Sequence, residues 1–261
     1  MTALPYRVIH GDCLSVLRRW RRDCVTAVVG DGPYSEHCHG NMRGNRGLNV
    51  KGKKRIVQLD PGFEPLTPEK VMAHSEQFCR VATQWIAMFS DDVTLPLWRE
   101  GIENAKGHYL RTIPWVRWIC PNFSGMCPPS GAEFVAIARP RKFPGETPRA
   151  RKWLRGNRTH YDTKCLRAHS DEKENLAAWS LDPEHPGHRA QKPIALMMEV
   201  LSDCCQRGDT IVDPYAGSGT TGIAALRLGM RVVLIENKEA DARLCQARMD
   251  REWARLQCKA A

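Results

Sequence analysis

The chain has 261 residues, with 39 Lys and Arg against 29 Asp and Glu for a net charge of +10, enough length for one large domain or two small ones with a real core. Its 26% charged residues and eight Trp exclude a disordered tail, and no apolar run exceeds five residues, so none could span a bilayer. Met1–Asp12 carries Pro5, Arg7 and Asp12 rather than the apolar stretch of a secretory signal, and the eleven Cys read as reduced thiols of a cytoplasmic protein.

In chain order, Thr26–Gly30 reads as a short buried strand ending at Asp31. His37–Arg55 then holds six basic residues (Arg43, Arg46, Lys51, Lys53, Lys54, Arg55) and no acid, with four Gly among them, which predicts an exposed basic loop within residues 37–60. Apolar residues at helical spacing predict an amphipathic helix over Pro68–Thr83, with Thr67 as N-cap. Strands are predicted over Trp85–Ser90, Thr112–Ile119 and Glu133–Ala138. Arg139–Arg167 is the second basic stretch, with ten cations, including Arg149, Arg151, Lys152, Arg155 and Arg158, against Glu146 and Asp162. The two stretches carry +14 together, over a remainder of −4. Arg43, Arg46, Lys51, Lys53, Lys54, Arg149, Arg151, Lys152, Arg155 and Arg158 are expected to contact nucleic-acid phosphates, with Trp153 and Tyr161 among the second set pointing to base or sugar contact. A helix over Pro193–Gln206, a strand over Thr210–Asp213, a helix over Gly219–Leu228, a strand over Arg231–Glu236 and a last helix from Glu239 to about Leu256 follow. The last helix interleaves Arg243, Arg248, Arg251 and Arg255 with acids and reads as a solvated face. Alternation of this kind predicts a mostly parallel sheet with helices on both faces.

Thr210–Gly222 reads TIVDPYAGSGTTG. Gly217, Gly219 and Gly222 fit G-x-G-x-x-G, and Glu236 ends the next strand, where an acid accepts ribose hydroxyls. Alone, the spacing fits a dinucleotide oxidoreductase. Two features oppose that: the motif lies near the end of the chain, so the order is permuted, and Asp213 stands between strand and glycines, where a carboxylate repels pyrophosphate and attracts a sulfonium or ammonium. S-adenosyl-L-methionine fits better.

Asp31-Gly32-Pro33-Tyr34 follows the first strand, at the carboxyl end where open α/β sheets bind ligands. With it the chain resembles the β group of amino DNA methyltransferases, whose catalytic Asp-Pro-Pro-Tyr precedes the cofactor motif. Gly11-Asp12-Cys13-Leu14 resembles the family's Gly-Asp-x-Leu, Gln191-Lys192-Pro193 its Gln-Lys-Pro, and Asp213–Thr221 its glycine loop. Each motif is short and weak alone; together, in the permuted order, they are specific and span most of the chain. The resemblance implies a Rossmann-like, seven-stranded methyltransferase domain whose halves, 1–138 and 189–261, flank a target-recognition segment at 139–188. It implies methyl transfer to the exocyclic amino group of a base flipped from double-stranded DNA, N6 of adenine preferred over N4 of cytosine because Asp opens the motif. Asp31 and the carbonyl of Gly32 would accept from that amino group, and Tyr34 would stack on the base. The cofactor would lie against Asp12, Cys13, Asp31, Lys192, Pro193, Asp213, Tyr215, Ala216, Gly217, Ser218, Gly219, Thr220, Thr221, Glu236 and Asn237. A homodimer is implied by the resemblance alone, as is a restriction-modification or phage setting in bacteria.

Gly32 departs from the family, which has Pro there, and leaves the direction of its carbonyl less fixed. A relative that binds DNA without catalysing transfer is the alternative this substitution raises. No metal is expected: His37-Cys38-His39 and Cys120/Cys127 lack zinc spacing, and the chemistry needs none. Trp85, Trp115 and Trp118 are expected to pack, and Cys204-Cys205 to lie in the core.

Overall fold

The computed structural model describes residues 4–41, 43–48, 54–58, 64–116, 131–142, 151–154, 159–162 and 191–260. Strand β1 (Tyr6–His10) opens the chain, followed by α1 (Cys13–Arg18), β2 (Val25–Asp31) and α2 (Glu36–Asn41). A two-stranded antiparallel ribbon, β3 (Arg43–Leu48) and β4 (Lys54–Gln58), stands apart from the main sheet. Then come α3 (Pro68–Val81), β5 (Ala82–Ser90), α4 (Leu95–Asn104), β6 (His108–Val116), β7 (Ala132–Arg139) and the two-residue β8 (Tyr161–Asp162). The chain closes with α5 (Ile194–Cys204), β9 (Thr210–Asp213), α6 (Thr220–Arg227), β10 (Arg231–Glu236) and α7 (Glu239–Ala260).

The sheet order is β1-β10-β9-β2-β5-β7-β6-β8. The first five strands are mutually parallel, and β7 runs antiparallel to both β5 and β6. This is the expected seven-stranded, mostly parallel sheet, extended at one edge by β8. The central strands read as continuous apolar runs because both faces are covered. One face buries Leu196, Leu201, Ala224 and Met249 from α5, α6 and α7 against the sheet. The other buries Leu17, Phe78, Trp98 and Ile102 from α1, α3 and α4.

Within the first basic stretch, Arg43–Leu48 and Lys54–Gln58 pair as strands, a correction to the expected loop. Cross-strand pairing of Ile56 and Val57 with Asn45 and Gly44 overrides the turn signal of the glycines. The second stretch differs more. Tyr161 is fully buried, donates its hydroxyl to Asp203 Oδ2 at 2.9 Å, and is the start of β8 beside Trp115. Trp153 packs edge-on against Trp85 with ring centroids 5.3 Å apart. Arg139 lays its guanidinium 3.3 Å over the Trp85 ring and donates to the carbonyl of Arg151. Both aromatics expected at nucleic acid thus pack with the core instead, Tyr161 within it and Trp153 partly buried against it. Trp118, Cys120 and Cys127 lie outside the described residues.

Candidate active site

Four adjacent strands in the order β1, β10, β9, β2 end at a carboxylate each: Asp12 two residues past β1, Glu236, Asp213 and Asp31. Parallel strands put all four at one edge of the sheet. Asp31 closes β2, where Lys192 Nζ donates to its Oδ2 at 2.6 Å. The same ammonium lies 3.1 Å from Glu133 Oε2 on β7, and Tyr34 donates its hydroxyl to that oxygen at 2.6 Å. Lys192 also sits 5.2 Å from the centre of the Tyr34 ring. Two carboxylates therefore share one ammonium, leaving the group at −1. Burial pushes the Asp31 carboxyl up, Lys192 opposes this, and Glu133 adds to it. Burial also works against Lys192, but Asp31 and Glu133 hold its ammonium above the usual lysine range. The motifs alone do not single out Glu133; an acid opening a strand of otherwise apolar residues is the signal that could have found it.

The loop after Tyr34 is fixed by Asp91, which follows β5 and accepts from Ser35 N at 2.9 Å and from Thr94 N at 2.8 Å. Leu66 N donates to the Tyr34 carbonyl at 3.1 Å. Pro33, half-buried, completes the motif.

Gly32 is buried against Tyr215. A Cβ on Gly32 would fall 2.8 Å from Tyr215 Cε2 and 3.0 Å from Cδ2, closer than carbon atoms pack. The glycine is required by this neighbour rather than by a left-handed φ. The Tyr215 ring is held edge-on against His74, 5.4 Å between centroids, and against Phe78 at 6.4 Å. Cys13 Sγ lies 3.2 Å from His74 Nε2. Burial pushes the His74 imidazole down to about 4 and the Cys13 thiol up to about 12, so the pair is neutral and supplies no thiolate nucleophile.

The glycine loop carries the next set. Gly219 has φ 88°, and its Cβ would fall 2.8 Å from Cys245 Sγ on α7, so no side chain fits at the entry to α6. Gly217 N donates to Glu236 Oε2 at 2.8 Å, and Lys238 N to Oε1 at 2.9 Å. Ala216 N donates to the Ile235 carbonyl at 2.9 Å. Arg248 Nη1 reaches both the carbonyl and the hydroxyl of Ser218 at 2.7 Å, and Ser218 donates to Gln191 Oε1 at 3.1 Å. Arg248 is buried, and Glu252 is buried between Arg227 and Arg255, which corrects the solvated reading at these two positions, while Glu239, Arg243, Asp250 and Arg251 are exposed as expected. Thr220 and Thr221 are buried at the start of α6. Asp213 accepts from Tyr215 N at 2.9 Å, and burial raises its carboxyl to about 7 despite help from Thr221. Asp12 caps α1 by accepting from Ser15 N at 2.8 Å; burial works to raise its carboxyl, but hydrogen bonding to Ser15 prevails and holds it below the usual carboxylate range. Pro193 is buried just ahead of α5, and Asn237 is exposed beside His10.

These residues fit a cationic nucleoside-bearing ligand. Four strand-end carboxylates and Glu133 gather at this edge, and Asp31 Oδ1, the Tyr215 hydroxyl and His74 Nδ1 are buried with no hydrogen-bond partner among the described residues.

Residues 73–247, more than half of the chain, match the DNA methylase family of N6 and N4 amino-methyltransferases. The chain belongs to that family. It is 29% identical over 267 residues to the Type II methyltransferase M2.DpnII of Streptococcus pneumoniae, covering 94% of this chain and 90% of the relative. M2.LlaDCHI of Lactococcus lactis subsp. cremoris is 28% identical over 266 residues, covering 94% and 89%. Among solved structures, the M1.HpyAVI–SAM complex superposes with a TM-score of 0.59 at 16% identity, over 94% of this chain and 99% of that one. The PvuII cytosine-N4-specific methyltransferase superposes at 0.62 with 13% identity, over 94% and 88%. This chain is therefore an S-adenosylmethionine-dependent DNA amino-methyltransferase.

Of the expected DNA contacts, Arg149, Arg155, Arg158, Lys51 and Lys53 lie outside the described residues, as do the side chains of Arg43, Arg46 and Lys54. Arg151 and Lys152 are placed, at the opposite end of the sheet from Asp31. Arg151 N donates to Gln84 Oε1 at 3.0 Å near the start of β5, and its guanidinium spans both oxygens of Asp209 at 2.6 Å. Arg151 thus ties the chain after β7 to the start of β9 through an ion pair with Asp209, its side chain still partly exposed. Among the described residues no cluster of His, Cys, Asp or Glu could hold a metal ion. No helix among them is long and apolar enough to cross a membrane.

Proposed function

We propose that the enzyme methylates the N6 amino group of an adenine flipped out of duplex DNA, with Asp31–Tyr34 as the receiving pocket. The observation that carries this is the row of four strand-end carboxylates beside a stacking tyrosine locked by Glu133. S-adenosylmethionine supplies an electrophilic methyl on a sulfonium, held here by Asp12, Asp213, Glu236 and the Gly217–Thr221 loop. An exocyclic amino nitrogen is a poor nucleophile because its lone pair is delocalised into the ring. Asp31 and the Gly32 carbonyl accept its two N–H bonds, favouring a pyramidal nitrogen and stabilising the charge that develops on it. Lys192 alone would neutralise Asp31; Glu133 takes a share of the ammonium and keeps the pocket negative. Glu133 also fixes the Tyr34 ring for stacking against the base.

Asp as the first motif residue is what favours adenine. The structural likeness to a cytosine-N4-specific enzyme supports N4 of cytosine as the second reading. Labelled methyl transfer to DNA by wild type and Asp31→Ala, followed by mass identification of the modified nucleoside, decides both points. Wild type yields N6-methyladenine and Asp31→Ala yields none; equal incorporation by both removes Asp31 from the mechanism. The homodimer and the cytoplasmic bacterial setting remain readings of the resemblance, the first tested by sedimentation of the full chain.

A further inference from the structure

The end of the sheet away from the catalytic mouth carries its own concentration of positive charge. Strands β10, β9, β2 and β5 begin there and antiparallel β7 ends there. Contacts make the edge continuous: Arg231 N donates to the Asp209 carbonyl at 2.8 Å, Thr26 lies beside Asp209, and Asp23 N donates to the Arg80 carbonyl at 3.0 Å. Helix α1 also ends there, and Arg18, Arg19, Arg21 and Arg22 follow one another around its end. Two acids at this edge are already taken by cations, Asp209 by Arg151 and Asp23 by Arg141, and Asp250 accepts from the Tyr6 hydroxyl at the start of β1. Arg18, Arg19, Arg21, Arg22, Lys142 and Arg207 are exposed, with no carboxylate partner among the described residues.

Helix C-termini gather at this end and account for some basic residues, since one cation complements each dipole. Four arginines in five positions, from the last residue of a six-residue helix onward, exceed that need. Unrelieved like charge opposes folding, so its persistence points to an anionic partner. The row from β10 to β7 crosses four inter-strand spacings of about 4.8 Å, roughly 19 Å in all. Duplex DNA presents one phosphate charge per about 1.7 Å of axis, so that length offers about eleven.

We infer that this edge is a second, sequence-independent docking surface for duplex DNA, separate from the catalytic mouth and holding a neighbouring segment by its phosphates. The choice of DNA among polyanions rests on the methyltransferase assignment; the surface itself does not.

The test uses the full chain and a variant with Arg18, Arg19, Arg21 and Arg22 all changed to Gln, exposed positions whose side chains have no partner among the described residues. A second variant, Lys142→Gln with Arg207→Gln, alters the same edge from different elements. Sedimentation with a fluorescent 16-base-pair duplex reads stoichiometry, and titration across salt reads how many phosphates are neutralised. Wild type should bind two duplexes per chain and the fourfold variant one, with the salt slope falling by about 0.9 for each phosphate left unneutralised. The second variant should weaken the same site, while methyl transfer to the short duplex and cofactor affinity stay unchanged in both. One duplex per chain in wild type, or unchanged stoichiometry and slope in both variants, overturns the inference. So does stronger competition at the second site by anionic phospholipid vesicles or RNA than by DNA. If wild type transfers no methyl group yet binds two duplexes, the function assignment fails and the surface stands.

Discussion

Gly32→Ala is the sharpest perturbation of the catalytic motif. The added Cβ would stand 2.8 Å from Tyr215 Cε2, about 0.6 Å inside the shortest ordinary carbon contact. The ring cannot swing freely, because His74 and Phe78 flank it and its backbone N–H is bound to Asp213. Overpacking of this kind costs about 1–3 kcal/mol. At about 2–4 °C per kcal/mol for a domain of this size, Tm should fall by roughly 2–12 °C. Forcing Tyr215 aside also disturbs Asp213, so cofactor affinity should drop with it. The assay is a double-mutant cycle read by thermal unfolding and calorimetric cofactor titration. In a Tyr215→Ala background the same change should be near neutral or stabilising by a few tenths of a kcal/mol, through reduced unfolded-state entropy. Gly32→Pro, which restores the family's usual residue, should lower activity here rather than raise it. Equal cost of Gly32→Ala with and without the Tyr215 ring would refute the account.

The remaining expectations address charge and packing. Glu133→Gln should lower kcat at least tenfold while Tyr34→Phe costs less, since only the first also returns Lys192 wholly to Asp31; steady-state kinetics with duplex substrate separates them. Asp213, at about 7 in the fold, is ionised in about one molecule in ten at pH 6 and nine in ten at pH 8. Affinity for the cationic cofactor should therefore rise up to about tenfold across that interval in wild type and stay flat in Asp213→Asn. Stability runs the other way: a carboxyl raised on folding contributes fully below its unfolded value of 3.8, and that contribution is lost as pH rises through about 7. Melting at pH 6 and pH 8 should show this fall, and Asp213→Asn should lack it. Tyr161→Phe strips a donor from the buried Asp203 carboxylate and should cost about 1.5–3 kcal/mol without changing cofactor affinity.

Much of the scaffold was legible because its signals are local. Alternating apolar runs and helical spacing located β2, α3, β5, β7 and everything from α5 onward, and Thr67 caps α3 through Lys70 N as its residue type predicts. Less visible were β1, α1 and α4, which are short and owe their form to neighbours: β1 is an edge strand whose pairing with β10 lies far away in sequence. The site divides the same way. Motif residues were readable, whereas Glu133, Arg248 and Asp91 act through contacts between distant segments that no spacing encodes. Gly32 is the clearest case. Read alone it looks like a loss from a motif; beside Tyr215, 183 positions later, it is the space that a ring occupies. Trp153 and Tyr161 mislead in the opposite sense, because aromatics among cations look like base-stacking residues until the core claims them.

The charge total carries a related lesson. A remainder of −4 outside the two basic stretches suggests a mildly acidic scaffold, yet that sum averages two opposed edges. At one edge, four strand-end carboxylates and Glu133 gather, with Lys192 shared between Asp31 and Glu133, a field that draws in a sulfonium and stabilises a nitrogen turning cationic. At the other, arginines outnumber acids that are already paired. Parallel strands produce this separation directly, since every strand presents its start to one side and its end to the other. Helix C-termini fall on the side of the strand starts and favour cations there, while strand ends receive ligands. The fold thus sorts charge by direction along the chain. In a methyltransferase that sorting separates the carboxylates that suit a cationic cofactor from the arginines that suit phosphate, so the proposed docking edge would hold a duplex without bringing its phosphates against like charge.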